Sequence, residues 1–210
     1  MRGRGILVAA LACGIATPAL GQSAAAKAAN ALGRAAKVRE EKKVTDRYDP
    51  IFKKYTKRYF GPGFDWHYFK AQSFAESGLK PTAKSWVGAR GLMQLMPSTF
   101  KEISSRRPEF TSIDDPEWNI AAGIMHDRYL WKLWADRIPD EERHRFMFAS
   151  YNAGEGTINR AFAVAQTKLG TPAWPNVERI APTMTRWRYS ETLGYVRRID
   201  SAYAQLSWVR

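Results

Sequence analysis

No stretch of this chain alternates apolar and polar residues for long, whereas apolar residues at helical spacing recur from Thr45 onward. A half-buried strand needs the first pattern and an amphipathic helix the second, so the chain is constrained to a mainly α fold with little or no sheet. Ile51, Phe52, Tyr55, Tyr59 and Phe60 follow the helix-start pair Asp49-Pro50, and Gly61-Pro62-Gly63 ends that helix. Asp65 is placed to cap the next helix, which runs to about Ser77 and stops at Gly78. A looped stretch through Gly88 and Gly91 leads to a short helix opened by Pro97-Ser98-Thr99. Asp114-Asp115-Pro116 reads as a turn, followed by a helix from Asn119 to Trp134. Further helices are expected from Asp140 to Tyr151, from Gly156 to Leu169 and from Tyr189 to about Trp208, with Gly170 to Pro175 as loop.

Ahead of Thr45 the chain has a different character. Arg2 and Arg4 precede an uncharged apolar stretch from Ile6 to Leu20, and Ala19-Leu20-Gly21 sets small residues before Gln22. This is the pattern of a secretory signal over 1–21, cleaved after Gly21, and it implies a periplasmic location. The apolar run is shorter than the ~20 residues of a spanning helix, which leaves an uncleaved anchor as the alternative. Cys13, the one cysteine, lies inside this segment, and Ala10 makes a poor lipoprotein box ahead of it. A chain cleaved after Gly21 carries no cysteine, which excludes disulfides, thiolate catalysis and cysteine metal sites. Residues 22–44 are rich in Ala, Lys and Arg; they are helical by propensity but poor in large apolar side chains, and read as an extension or linker. The folded domain is expected over 45–210.

The formal charge of +13 bears on partners rather than on fold. Nucleic acid, anionic membrane and an anionic wall polymer all fit such a balance. The basic pairs Lys53-Lys54, Arg106-Arg107 and Arg197-Arg198 are spread along the chain, and no nucleic-acid-binding motif accompanies them, so no nucleic-acid partner is expected. His67, His126 and His144 stand far apart in sequence and form no ligand motif; neither metal nor cofactor is expected.

One carboxylate stands out. On a helix starting near Asp65, Trp66, Phe69, Ser73 and Glu76 share a face that points inward. A carboxyl at the end of a mostly apolar face is desolvated, which penalises its charged form and suits it to donate a proton at neutral pH. A solvated or ion-paired glutamate is the plainer reading of the same residue, and the words around it decide between the two.

Phe74-Ala75-Glu76-Ser77-Gly78-Leu79-Lys80-Pro81 is followed by Val87-Gly88-Ala89-Arg90-Gly91-Leu92-Met93-Gln94-Leu95-Met96-Pro97, and later by Ala149-Ser150-Tyr151-Asn152-Ala153-Gly154. In this order and spacing the three pieces resemble the transglycosylase SLT family of lysozyme-like cell-wall enzymes, over roughly Asp65 to Ala204. The resemblance implies a helical lysozyme-like domain crossed by a substrate groove. It implies Glu76 as the single catalytic carboxylate with Ser77 as its polar neighbour. Met93 would line the groove, Gln94 would hydrogen-bond the sugar, and Tyr151 and Asn152 would hold the substrate's N-acetyl group. Tyr195, within Glu191-Thr192-Leu193-Gly194-Tyr195-Val196, matches the tyrosine that reaches the catalytic carboxylate. Asp114 to Gly123 resembles the family's approach to its central helix, where a structural role is implied. The chain departs from the family pattern at Ser150, where alanine is common, and at Glu155-Gly156.

The activity implied is non-hydrolytic cleavage of the bond from N-acetylmuramic acid to N-acetylglucosamine, giving 1,6-anhydromuramyl ends. The partner is the peptidoglycan glycan strand. A monomer is expected, and wall-machinery or secretion-system proteins remain open as further partners. Two alternatives stand beside this: a hydrolytic muramidase using a second carboxylate, for which Asp114, Asp115 and Glu155 are candidates, and a non-catalytic wall-binding scaffold.

Overall fold

The helical spacing is realised throughout the second of the two units into which the chain divides, Met1–Val44 and Thr45–Arg210. The computed structural model describes residues 27, 29–34 and 46–207. In the first unit, 29–34 are helical and exposed; the expected signal segment 1–21, with Cys13, lies outside the described residues.

In the second unit the described residues form α1 (Asp49–Phe60), α2 (His67–Ser77), α3 (Pro97–Ser105), α4 (Pro116–Leu133), α5 (Asp140–Ala153), α6 (Glu155–Leu169), α7 (Trp174–Ile180) and α8 (Tyr189–Ser207). A 3₁₀ turn, Ala181–Thr183, follows α7. The extended pairings described are isolated bridges, Lys84 with Arg90 and Arg90 with Leu95. Helix α7 begins inside the stretch expected to be loop. Its Pro175 sits in the first turn, where a missing N–H costs nothing, so a proline that reads as a breaker serves here as a helix opener.

Local signals explain the ends. Asp115 caps α4, its carboxylate accepting from the N–H groups of Glu117 (2.8 Å) and Trp118 (3.1 Å). Gly78 closes α2 in the left-handed region at φ 61°, the usual place for a residue without a side chain. Helix α2 lies between α1 and α8, and α5 packs on α4, α6 and α8. Phe52, Phe69, Ile120, Ile124, Trp134, Phe146, Phe148 and Tyr195 are fully buried where these helices meet. Each such side chain contributes ~1.5–3 kcal/mol of burial.

The beginning of α2 is fixed from two sides. Buried Lys70 pairs with Asp46 at 3.0 Å and Asp49 at 2.7 Å, and Tyr203 of α8 donates to Asp65 at 3.0 Å while stacking on Tyr68. Asp65 also accepts from the His67 N–H at 3.0 Å. Ser150 accounts for itself in the core: its hydroxyl accepts the buried indole N–H of Trp134 at 3.1 Å, a bond that alanine cannot make.

Candidate active site

Glu76 sits in the last turn of α2, after buried Phe69 and Ser73 on the same face. Tyr195 of α8 is almost fully buried and donates its hydroxyl to Glu76 Oε1 at 2.6 Å. Burial dominates the electrostatics and raises the carboxyl's pKa from 4.5 to about 7; the Tyr195 bond and the charge of Arg198 pull the other way. Burial also raises the Tyr195 and Tyr151 phenols well above the ordinary value, so both are donors at neutral pH. Glu76 is therefore poised to hold or release a proton near neutrality.

Removing the hydroxyl that favours its ionised form should push Glu76 higher still. A hydrogen bond to a charged group is worth ~1.5–3 kcal/mol, which is about one pKa unit or more. In Tyr195→Phe, a carboxyl-detected NMR titration should show Glu76 titrating above its wild-type position of about 7. An unchanged or lowered midpoint would show that the bond does not govern the carboxyl.

The loop after α2 is clamped from three helices. From α2, Ser73 and Ser77 both donate to the Leu92 carbonyl, at 3.0 and 2.9 Å. From α4, buried Asn119 accepts the Met93 N–H at 2.8 Å and donates to the carbonyls of Arg90 and Ile113, each at 2.9 Å. From α5, Tyr151 donates to the Met93 carbonyl at 2.8 Å. Gly91, at φ 79°, lets the backbone pass against the Asn119 side chain, where a Cβ would collide with it. Three sequence words hundreds of ångströms of extended chain could separate are thus joined at consecutive backbone groups of one loop.

Gln94 adopts φ 45°, an uncommon conformation for a residue with a side chain, and its amide donates to the carbonyls of Gly91 (2.9 Å) and Ala83 (3.1 Å). Both of its N–H donors thus serve the loop. Met93 differs from the expectation that it lines the groove. Its side chain is fully buried against Gly123, where a Cβ would lie 2.7 Å from Met93 Cγ. The helix-to-loop approach is so close there that the methionine fills the core, and only its backbone takes part in the clamp.

Tyr151 and Asn152 are consecutive but line different cavities. Tyr151 borders one of ≈ 850 Å³ between α3, α4 and the start of α6, with Arg106, His126 and Tyr129. Asn152 borders one of ≈ 260 Å³ with Arg186, Trp187 and Glu191. Asp114 is ion-paired with Arg90, Asp115 is spent on the α4 cap, and Glu155 accepts from Tyr129. None of these three carboxylates pairs with the Glu76–Tyr195 unit. Sequence reasoning missed Asn119 as a clamp, although it stands at i, i+4 and i+8 with Gly123 and Asp127 on the buried face of α4.

The sequence profile of the Transglycosylase SLT domain family matches residues 50–172. The chain is 30% identical over 175 residues to membrane-bound lytic murein transglycosylase F of Shewanella pealeana, covering 78% of this chain and 34% of that protein. It is 34% identical over 154 residues to the protein of that name from Vibrio campbellii, covering 72% and 27%. The chain therefore spans about a third of the length of these curated relatives. Among solved structures it resembles the 70-kDa soluble lytic transglycosylase of Escherichia coli with a TM-score of 0.55 and 27% identity, over 76% of this chain and 24% of that one. The complex of the 70-kDa soluble lytic transglycosylase with bulgecin A aligns with a TM-score of 0.60 and 28% identity, over 81% and 26%.

Proposed function

We propose, from the premise that this chain belongs to the transglycosylase SLT family, that it is a lytic transglycosylase acting on the glycan strands of peptidoglycan. The observation that carries this is the Glu76 carboxyl, held by Tyr195 at 2.6 Å and raised by burial to about 7. Such a group is protonated for much of the time at neutral pH and ionises readily once its proton has left, so one residue can serve both halves of the reaction.

Glu76 protonates the glycosidic oxygen between N-acetylmuramic acid and N-acetylglucosamine. The substrate's own acetamido oxygen supports the oxocarbenium-like centre. Ionised Glu76 then takes the proton of the muramyl C6 hydroxyl, which closes on C1. The bond to the leaving sugar breaks, the C6 oxygen to C1 bond forms, and no water enters. Gln94, Tyr151, Asn152 and Ser77 are assigned to holding substrate or the loop that meets it. Met93 supports that loop from the core.

A hydrolase ordinarily positions a second carboxylate ~5–10 Å from the first to activate water. The engagement of Asp114, Asp115 and Glu155 elsewhere favours the intramolecular route, in which the C6 hydroxyl needs no recruitment from solvent. Digestion of purified peptidoglycan in heavy-oxygen water is the test. The expected products end in 1,6-anhydromuramyl groups without label and without new reducing ends. Label in the products with rising reducing sugar would assign a hydrolytic muramidase instead.

An exported protein that works in the periplasm fits both the signal pattern over 1–21 and the naming of relatives as membrane-bound murein enzymes. Among the described residues no helix is long and apolar enough to cross a membrane.

A further inference from the structure

A second carboxyl near Glu76 takes no part in the steps above. Asp127 of α4 is fully buried, and so is Gln72 of α2, which stands one helical turn before Glu76 on the same face. Gln72 Nε2 donates to Asp127 Oδ1 across 3.3 Å. The remaining polar oxygens of the two groups, Gln72 Oε1 and Asp127 Oδ2, are also buried, and neither has a hydrogen-bond partner among the described residues.

With Asp127 ionised, both oxygens are acceptors and neither can satisfy the other. One proton on Asp127 Oδ2 removes the conflict. Its O–H then donates to Gln72 Oε1 while the Gln72 N–H donates to Oδ1, and acid and amide close a ring of two hydrogen bonds. We propose that Asp127 is held as a neutral carboxylic acid paired twofold with Gln72, a positioning residue that fastens the catalytic helix α2 to α4 without placing a second negative charge near Glu76.

The groups whose charge Asp127 meets argue the same way. They are Glu76 from α2, Tyr151 from α5 and Tyr195 from α8, with no cation among them. Burial and the charge of Glu76 both push the Asp127 carboxyl well above its ordinary range, and the Gln72 bond alone opposes them. A buried carboxylate without a cation is strongly disfavoured, and protonation is the ordinary resolution. The consequence for Glu76, which rests on reading it as the acid and base, is that it can ionise near neutrality. A charged neighbour would resist that step; a neutral one does not. Two carboxyls whose surroundings hold their titrations apart can take separate roles.

The test uses the full chain labelled with ¹³C at the aspartate Cγ. One aspartate resonance should still hold its protonated position at about pH 7, although a free aspartate titrates near ~3.9. That resonance should vanish in Asp127→Asn. A spectrum with every aspartate at the ionised position by about pH 7 would overturn the proposal, and needs no variant.

Unfolding gives a second readout. A raised folded-state pKa contributes stability that is fully present below ~3.9 and is lost as pH rises toward the folded value, and Asn carries no such loss. The folding constant of D127N relative to wild type should therefore climb with pH above ~4, by up to ~10-fold per pH unit. A ratio that stays flat would count against a neutral Asp127.

The pH–rate profile supplies the third readout, and a merely structural role would not govern it. Neutral replaces neutral in D127N, so the alkaline limb should stay within about 0.3 pH unit of wild type. A fall of ~1 unit would mean that a charge had been removed. A wild-type protein without turnover would refute the reading of Glu76, while the resonance and the unfolding ratio would still decide Asp127.

Discussion

Glu76→Gln should abolish turnover and at the same time make the protein more stable above neutral pH. Glutamine keeps the shape, and its carbonyl oxygen can still accept the Tyr195 hydroxyl that lies 2.6 Å from Glu76. It cannot give a proton as an acid does, and general acid–base catalysis is worth ~10²–10⁴-fold, so the loss should reach at least that range. The stability change follows from the carboxyl's raised pKa, about 7 against an ordinary 4.5. A group raised in the folded state contributes stability that is fully present below its unfolded value and is lost as pH rises through its folded value. Wild type therefore loses the Glu76 contribution between about pH 4.5 and about pH 7, and E76Q, neutral at that position, does not. Its advantage should be absent at acid pH and approach ~3 kcal/mol in mild alkali, an upper bound for a partly buried group. Muropeptide release and urea unfolding on the same two proteins read both effects. Activity within a few-fold of wild type would move the chemistry to another carboxyl. Lost activity with equal loss of stability at all pH values would mean that the residue is structural. For wild type, activity should fall as pH rises through about 7, because the acid is then ionised before substrate arrives.

Asn119→Leu is expected to be the most damaging change outside the chemistry. Leucine has the same number of side-chain heavy atoms but no polar group, so the Met93 N–H and the Arg90 and Ile113 carbonyls lose the partners that now lie at 2.8–2.9 Å. Leaving a buried polar group unpaired costs ~1–3 kcal/mol, and the Met93 N–H and the Ile113 carbonyl are stranded together, while the Arg90 carbonyl keeps the Leu95 N–H at 3.0 Å, so a loss of ~2–5 kcal/mol is expected. That is a large share of the ~5–15 kcal/mol that keeps an ordinary domain folded. Where the variant still folds, the loop bearing Gln94 and the Leu92 carbonyl is freed from α4, and kcat should fall with KM rising. Urea unfolding monitored by tryptophan fluorescence measures the first effect and muropeptide kinetics the second. A change below ~1 kcal/mol would show that water or a shifted backbone replaces the asparagine.

The sequence by itself determined the helices and named the candidates for the chemistry. The 3.6-residue spacing of Ile51, Phe52, Tyr55 and Tyr59 and the Gly78 stop are local signals, and local structure obeyed them; Asp115-Pro116, expected in a turn before a helix from Asn119, instead caps and opens α4. Glu76, Ser77, Gln94, Tyr151, Asn152 and Tyr195 could be singled out as candidates because they sit in words that resemble those of the family, whose profile matches residues 50–172. The tertiary structure alone decided what each of them touches. A methionine in a recognised word looks the same whether it faces a groove or a core; only the approach of Gly123 put Met93 inside. Pro175 reads as a breaker until α7 forms around it. Asp127 is one acidic residue on a long helix, and its meaning comes from a glutamine 55 positions away and from the absence of a cation among the groups that surround it. Helix propensity and capping act over a turn or two of chain and so leave their mark in sequence. Burial, hydrogen-bond partners and the pKa shifts they cause depend on which surfaces meet, and those contacts exist only once the helices have packed.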